Sequence, residues 1–121
     1  MKTAVVVLGH GSRAEEANQG LRDLAVMIKE MSRFELVVPA FLGHGQPNLP
    51  AVLTQLASDG AERIIVVPIF LFRGVHMSQD IPEEIAQVQA ALPHVQIIFA
   101  RHLGPDPRLA ALACDRIWEV I

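Results

Sequence analysis

Two histidines sit where a side chain has more to offer chemistry than packing. His10 lies between Gly9 and Gly11 in the run Gly9-His10-Gly11-Ser12, directly after the apolar stretch Ala4–Leu8. An imidazole, which titrates near neutrality, contributes little to a core from so tight a turn, and this favours a ligand or proton-accepting role. His76 closes a second segment, Pro68-Ile69-Phe70-Leu71-Phe72-Arg73-Gly74-Val75-His76, that stays apolar where a loop is normally polar. Phe70, Leu71, Phe72 and Met77 either offer a face to something flat and apolar or pack a core or dimer contact. His76 and Arg73 favour the first reading, because imidazole suits Co, Ni, Fe or Zn and guanidinium suits carboxylate or phosphate. The glycines around His10 also have two readings, a plain tight turn or an anion site at a helix start. His44, between Gly43 and Gly45, is a third candidate donor. His102 is a weaker one at a sheet edge, and His94 reads as a solvated turn residue.

These positions matter only if the fold gathers them. Four short runs rich in Val, Ile and Phe, at Ala4–Leu8, Leu36–Phe41, Ile64–Phe70 and Val95–Ala100, are nearly unbroken, as strands are when both faces of a parallel sheet are covered. Between them the period turns helical. Ala17, Leu21, Leu24, Ile28 and Met31 form one stripe, with Arg22, Asp23, Lys29 and Glu30 opposite. Leu49, Val52, Leu53 and Leu56 mark a second helix, Ile81, Ile85, Val88 and Leu92 a third, and Leu109, Leu112, Ala113, Ile117 and Val120 a fourth. Ser12 with Glu15, and Asp80 with Glu83 around Pro82, have capping-box spacing, while Gly60 closes the second helix. Right-handed crossovers then lead to an α/β fold: a four-stranded parallel sheet of flavodoxin-like order 2-1-3-4 with helices on both faces. In that order strands one and three meet at the switch point, where open α/β sheets bind ligands beyond their carboxyl ends. His10 and His76 thereby share one crevice, and His44 leaves strand two on the same side.

Composition narrows the partner. The chain has 121 residues and a formal charge of −3, with no basic run, which argues against nucleic acid. No apolar stretch has the ~20 residues of a membrane span, and the N-terminus lacks a signal-peptide pattern, so the expectation is one cytoplasmic domain over residues 1–121. Cys114 is the only cysteine, which excludes an intrachain disulfide or thiolate cluster, and its apolar neighbours suggest a small core residue.

Several segments together resemble the CbiX family of sirohydrochlorin chelatases in its small form. They are Val7-Leu8-Gly9-His10-Gly11-Ser12-Arg13, Ala40-Phe41-Leu42 with Pro47, Val67-Pro68-Ile69-Phe70-Leu71 through Gly74-Val75-His76, Asp80-Ile81-Pro82, and Leu103-Gly104-Pro105-Asp106-Pro107. The resemblance implies a class II chelatase half, a homodimer whose subunits stand in for two lobes, and metal insertion without ATP, with His10 and His76 as catalytic and metal-holding residues. It also implies no cofactor beyond the substrate metal, Co²⁺ first and Ni²⁺ or Fe²⁺ as alternatives. One position departs: Gly43 stands where family members usually carry glutamate, and His44 is the nearest replacement donor.

The chemistry suits these residues independently. Putting M²⁺ into a free-base macrocycle displaces two pyrrolic protons, which calls for donors that hold metal loosely and accept protons near neutral pH. Arg13, Arg73 and the N–H groups around Gly11 and Ser12 suit the acetate and propionate arms of sirohydrochlorin, and Phe70, Leu71 and Phe72 suit the ring. Two other classes stay open: a nonenzymatic module holding flavin or phosphate at the Gly9–Ser12 turn, and a metal or tetrapyrrole carrier without turnover.

Overall fold

Strands with no polar interruption bury both of their faces, and here the apolar runs pair edge to edge into one parallel sheet. The computed structural model describes residues 1–121, except that the side chains of residues 75–78 lie outside the description. Its elements alternate as β1 (Thr3–Gly9), α1 (Glu15–Ser32), β2 (Leu36–Phe41), α2 (Leu49–Ser58), β3 (Arg63–Pro68), α3 (Val75–Ala91), β4 (Gln96–Phe99) and α4 (Pro107–Glu119). The sheet order is β2-β1-β3-β4, as the sequence predicts, with Val6 paired to Val38 on one side and to Val66 on the other.

Alternation along the strands splits the core in two. Ala4, Val6, Leu8, Ile64 and Val66 face α2 and α3, meeting Leu53, Leu56, Ile81 and Ile85 in the larger cluster. Val5 and Val7 face α1 through Ala25, with Leu21 and Ile28 alongside. The inward stripe of α1 is thus buried Asn18 and Ala25 with half-buried Leu21, Leu24 and Ile28, rotated from the expected one at its ends: Ala17 is exposed and Met31 is 86% exposed. The turn recruits Asn18 into the interior, and that rotation follows.

Three further expectations change. Ser12 and Glu15 form no capping box; the N-cap is Ala14, and the Ser12 hydroxyl accepts from the Ala14 N–H instead. α3 starts at Val75 with Gly74 as N-cap, so Pro82 lies inside the helix and His76 belongs to its first turn instead of a loop. An interior proline removes one i→i−4 bond without having to end a helix that packs through Ile81 and Ile85 on either side. The largest difference is α4. Every residue from Ala111 to Ile121 is exposed, including Cys114, which is therefore no core residue. The α1 face of the sheet is left open over β3 and β4, where Ile65 and Val67 are half-buried and Ile98 is exposed. Helical period identifies the apolar side of α4 but not its cover. The expected stop at Gly60 (φ +95°), which follows the C-cap Asp59, ends α2, and an N-cap at Asn48, whose side chain accepts from Ala51 N–H, starts it. Among the described residues no helix is long and apolar enough to cross a membrane.

Candidate active site at the carboxyl end of the sheet

β1 ends at Gly9, and the chain must turn at once toward α1. Gly11 makes this possible with φ +84°, a left-handed conformation that a side chain disfavours. The turn is then fixed from three directions. Leu42 N–H donates to Gly9 O at 3.0 Å, and Gly43 N–H donates to His10 O at 2.8 Å. Asn18, only 3% exposed, accepts from Ser12 N–H at 2.8 Å and donates through Nδ2 to Ser12 O at 2.9 Å. A buried amide that satisfies a peptide group on its N–H and C=O sides replaces a missing strand partner. Asn18 is a site residue that the sequence reading missed. Its signal was available: it lies three residues before Leu21 and seven before Ala25, a polar residue on the buried stripe.

This clamp decides what the turn can bind. The Ser12 N–H is occupied by Asn18, so Ser12 offers no backbone donor to an anion, and the expected phosphate-type cradle is weakened. His10 gains instead. Its side chain projects into solvent while its ring rests on Phe70, with centroids 4.2 Å apart and planes tilted by 53°. Phe70 is itself buried, at 5% exposure, in the larger core. The apolar segment after β3 therefore splits. Phe70 packs the core and backs His10, whereas Leu71 and Phe72, at 48% and 74% exposure, form an open apolar lip. A groove of about 570 Å³ runs between that lip and Leu109, Leu112 and Ala113 of α4. A second cavity of about 330 Å³ lies between His10, Asn18, Phe41 and Ile69.

Other candidates fall around this centre. The loop carrying Gly43 and His44 is tied to His10 through the Gly43 bond, and His44 O lies against Gly11; the His44 side chain is exposed. Arg13 is exposed in the turn before α1, and Arg73 lines a separate cavity beyond β3. The His76 side chain lies outside the described residues; its backbone follows β3, the neighbour of β1. Among the described residues no cluster of three or more His, Cys, Asp or Glu forms a preassembled metal cage. His94 is exposed just before β4, at the opposite end of the sheet.

The fold and the site together define an open α/β protein that offers an imidazole and an apolar lip at the switch point of a parallel sheet. The chain belongs to the CbiX family, whose model matches residues 4–120. It is 31% identical over 138 residues to the sirohydrochlorin cobaltochelatase of Methanopyrus kandleri, covering 98% of this chain and 96% of that one. It is also 31% identical to the chloroplastic sirohydrochlorin ferrochelatase of Arabidopsis thaliana, covering 93% of this chain but 50% of the relative. In three dimensions it overlays the sirohydrochlorin chelatase SirB from Bacillus subtilis subspecies spizizenii, solved in complex with cobalt, with a TM-score of 0.93 and 28% identity. That overlay takes in 99% of this chain and 51% of SirB, so the chain spans the full length of some relatives and about half of others.

Proposed function

We propose that this protein is a sirohydrochlorin chelatase, a cytoplasmic enzyme of one domain that inserts a divalent metal into the macrocycle without ATP, with Co²⁺ as the leading substrate metal. The observation that carries this reading is His10: an exposed imidazole on a clamped turn, backed by a buried aromatic ring, in a chain of the CbiX family. The relatives' names include cobaltochelatases and ferrochelatases, so Fe²⁺ stands as an alternative on the same tetrapyrrole, and Ni²⁺ is a further one that imidazole donors suit. The metal enters as a substrate. A single neutral imidazole holds it through one nitrogen, weakly enough to release it, and accepts a proton once that nitrogen is free. His76, and His44 from the Gly43 loop, are the other donors. Leu71 and Phe72 carry the ring, and Arg13 and Arg73 meet its carboxylate arms. Insertion assays with Co²⁺, Ni²⁺ and Fe²⁺ test the reading: turnover with one of them supports it, and stoichiometric binding without turnover identifies a carrier. A flavin-type absorbance spectrum in the purified protein would identify the nonenzymatic module instead.

The working unit in this reading is a homodimer. The lip supplies one wall for a planar substrate, and α4 presents Leu112, Ile117 and Trp118 to solvent, Trp118 at 72% exposure, followed by exposed Val120 and Ile121. A second copy is the occupant that brings an equal open surface of its own. Trp118→Asp is expected to convert the dimer to monomer in sedimentation runs and to cut insertion by roughly tenfold or more, as losing a central aromatic anchor does. A wild-type monomer with full activity at assay concentration counts against the pairing.

The departure at Gly43 gives another expected result. A Cβ there meets only His10 O, at 3.4 Å, an ordinary contact, so a side chain fits. Gly43→Glu should raise the insertion rate or shift the metal preference by adding a carboxylate beside His10, and His44→Ala should weaken activity. If neither change alters rate or metal affinity with any of the three metals, the loop is no part of the site.

A further inference from the structure

The carboxyl ends of β3 and β4 enclose a cavity of about 360 Å³ that belongs to none of the roles assigned above except through Arg73. Arg73 comes from the segment after β3, and Arg101 and His102 come from the residues after β4. Pro68, Phe99 and Ala100 form its apolar floor. Among the described residues no acidic side chain lines it. Among the described residues neither Arg73 nor Arg101 makes a hydrogen bond or ion pair with another side chain. The nearby Asp106 is engaged elsewhere. Arg108 grips its two oxygens at 2.8 Å each and, with a smaller contribution from Arg101, holds the carboxyl well below its usual range. Two guanidiniums and an imidazole around an apolar floor are the complement of a carboxylate on an alkyl stem.

The cavity is coupled to His10 by backbone. Leu103 N–H donates to Phe70 O at 3.0 Å, which fixes the residues after β4 against the residue that carries the His10 ring. His102 is placed by the same loop. Gly104 adopts φ +61°, and a Cβ there would come within 3.3 Å of His102 Nε2, so the imidazole packs in the space that a side chain would occupy.

We propose that this cavity is a carboxylate subsite: Arg73, Arg101 and His102 take one acetate or propionate arm of the tetrapyrrole and so set the macrocycle's rotation relative to His10. This rests on the chelatase reading and adds Arg101 and His102 to the groups that recognise the substrate. Ring position is then set at the rim, away from the metal-bearing centre.

The test measures binding of metal-free sirohydrochlorin by its absorbance change, with insertion kinetics alongside. Arg101→Ala should weaken binding and raise the KM for the macrocycle about tenfold, the size of one lost charge-assisted contact. The KM for the metal should stay within about twofold, since no metal donor is touched. His102→Gln, which retains a donor, should lose less, and Arg101→Lys should recover part of the loss because it restores charge without the planar fork. A methyl-esterified macrocycle should bind wild type and Arg101→Ala equally. Unchanged affinity for sirohydrochlorin in the folded Arg101→Ala protein overturns the subsite while leaving the chelatase reading standing. So does equal discrimination against the ester. A wild-type protein that binds no tetrapyrrole overturns the chelatase reading and the subsite with it.

Discussion

Replacing His10 with alanine is expected to lower metal insertion by roughly 10²- to 10⁴-fold, the range for losing a positioned proton acceptor, while leaving the fold in place. The side chain is exposed, and the bonds that hold its turn come from backbone groups and the Asn18 amide, so none depends on the imidazole. His76→Ala should show the same pattern, because its backbone follows the strand next to β1 and metal delivery needs donors that converge. The double variant should be little worse than the poorer single one, as when residues serve one step. Binding of free-base sirohydrochlorin should persist in all three. Initial rates from the loss of free-base absorbance, with circular dichroism as the control for folding, decide the matter. Multiplicative losses would show separate roles, and near-normal insertion by a folded His76→Ala protein would sink the paired mechanism.

The second large effect falls on stability. A Cβ at Gly11 would lie 2.1 Å from His44 O and 2.8 Å from His44 C, and Gly11 holds φ +84°. The obstacle is backbone, so no rotamer change relieves it. Gly11→Ala must push the His44 loop away and break the Gly43 bond to His10 O, at a cost of roughly 3 kcal/mol from strain and lost contacts. That corresponds to a fall in Tm of roughly 10 °C for a domain of this size. Insertion should fall too, since His10 loses its mount. Gly43→Ala is the matched control, with its nearest neighbour at 3.4 Å. A Gly11→Ala protein that melts with wild type would mean that the turn and the loop are not packed in this way.

Much of this was legible in the sequence because it depends on local rules. Unbroken Val and Ile runs specify buried parallel strands, and crossover handedness then leaves few orders, so β2-β1-β3-β4 and the switch-point position of His10 follow. What escaped depends on distant partners. Ser12 has the right spacing to Glu15 for a cap, but Asn18 competes for the same turn and wins by bonding to two Ser12 groups. Pro82 looks like a helix start because proline favours that position, yet packing on either side carries α3 through it. Phe70 and Phe72 are equally apolar in the sequence, and only the fold separates a buried support from an exposed lip. Cys114 looks internal because its helix is amphipathic, whereas burial needs a second surface that residues 1–121 do not fold over α4. His102 looks peripheral on an edge strand until the strand ends enclose a cavity around it.

The Asn18 clamp bears on the timing of order. Fixing a residue's backbone costs about 1–2 kcal/mol of conformational entropy, and around His10 that cost is met once, when the chain folds. In the proposed reading, an incoming metal ion then meets a donor that does not have to be gathered from a wandering loop. A fixed mount by itself strengthens binding by removing the ordering cost, so in the proposed reading the ease of handing the metal on rests on how few donors hold the ion, not on the clamp.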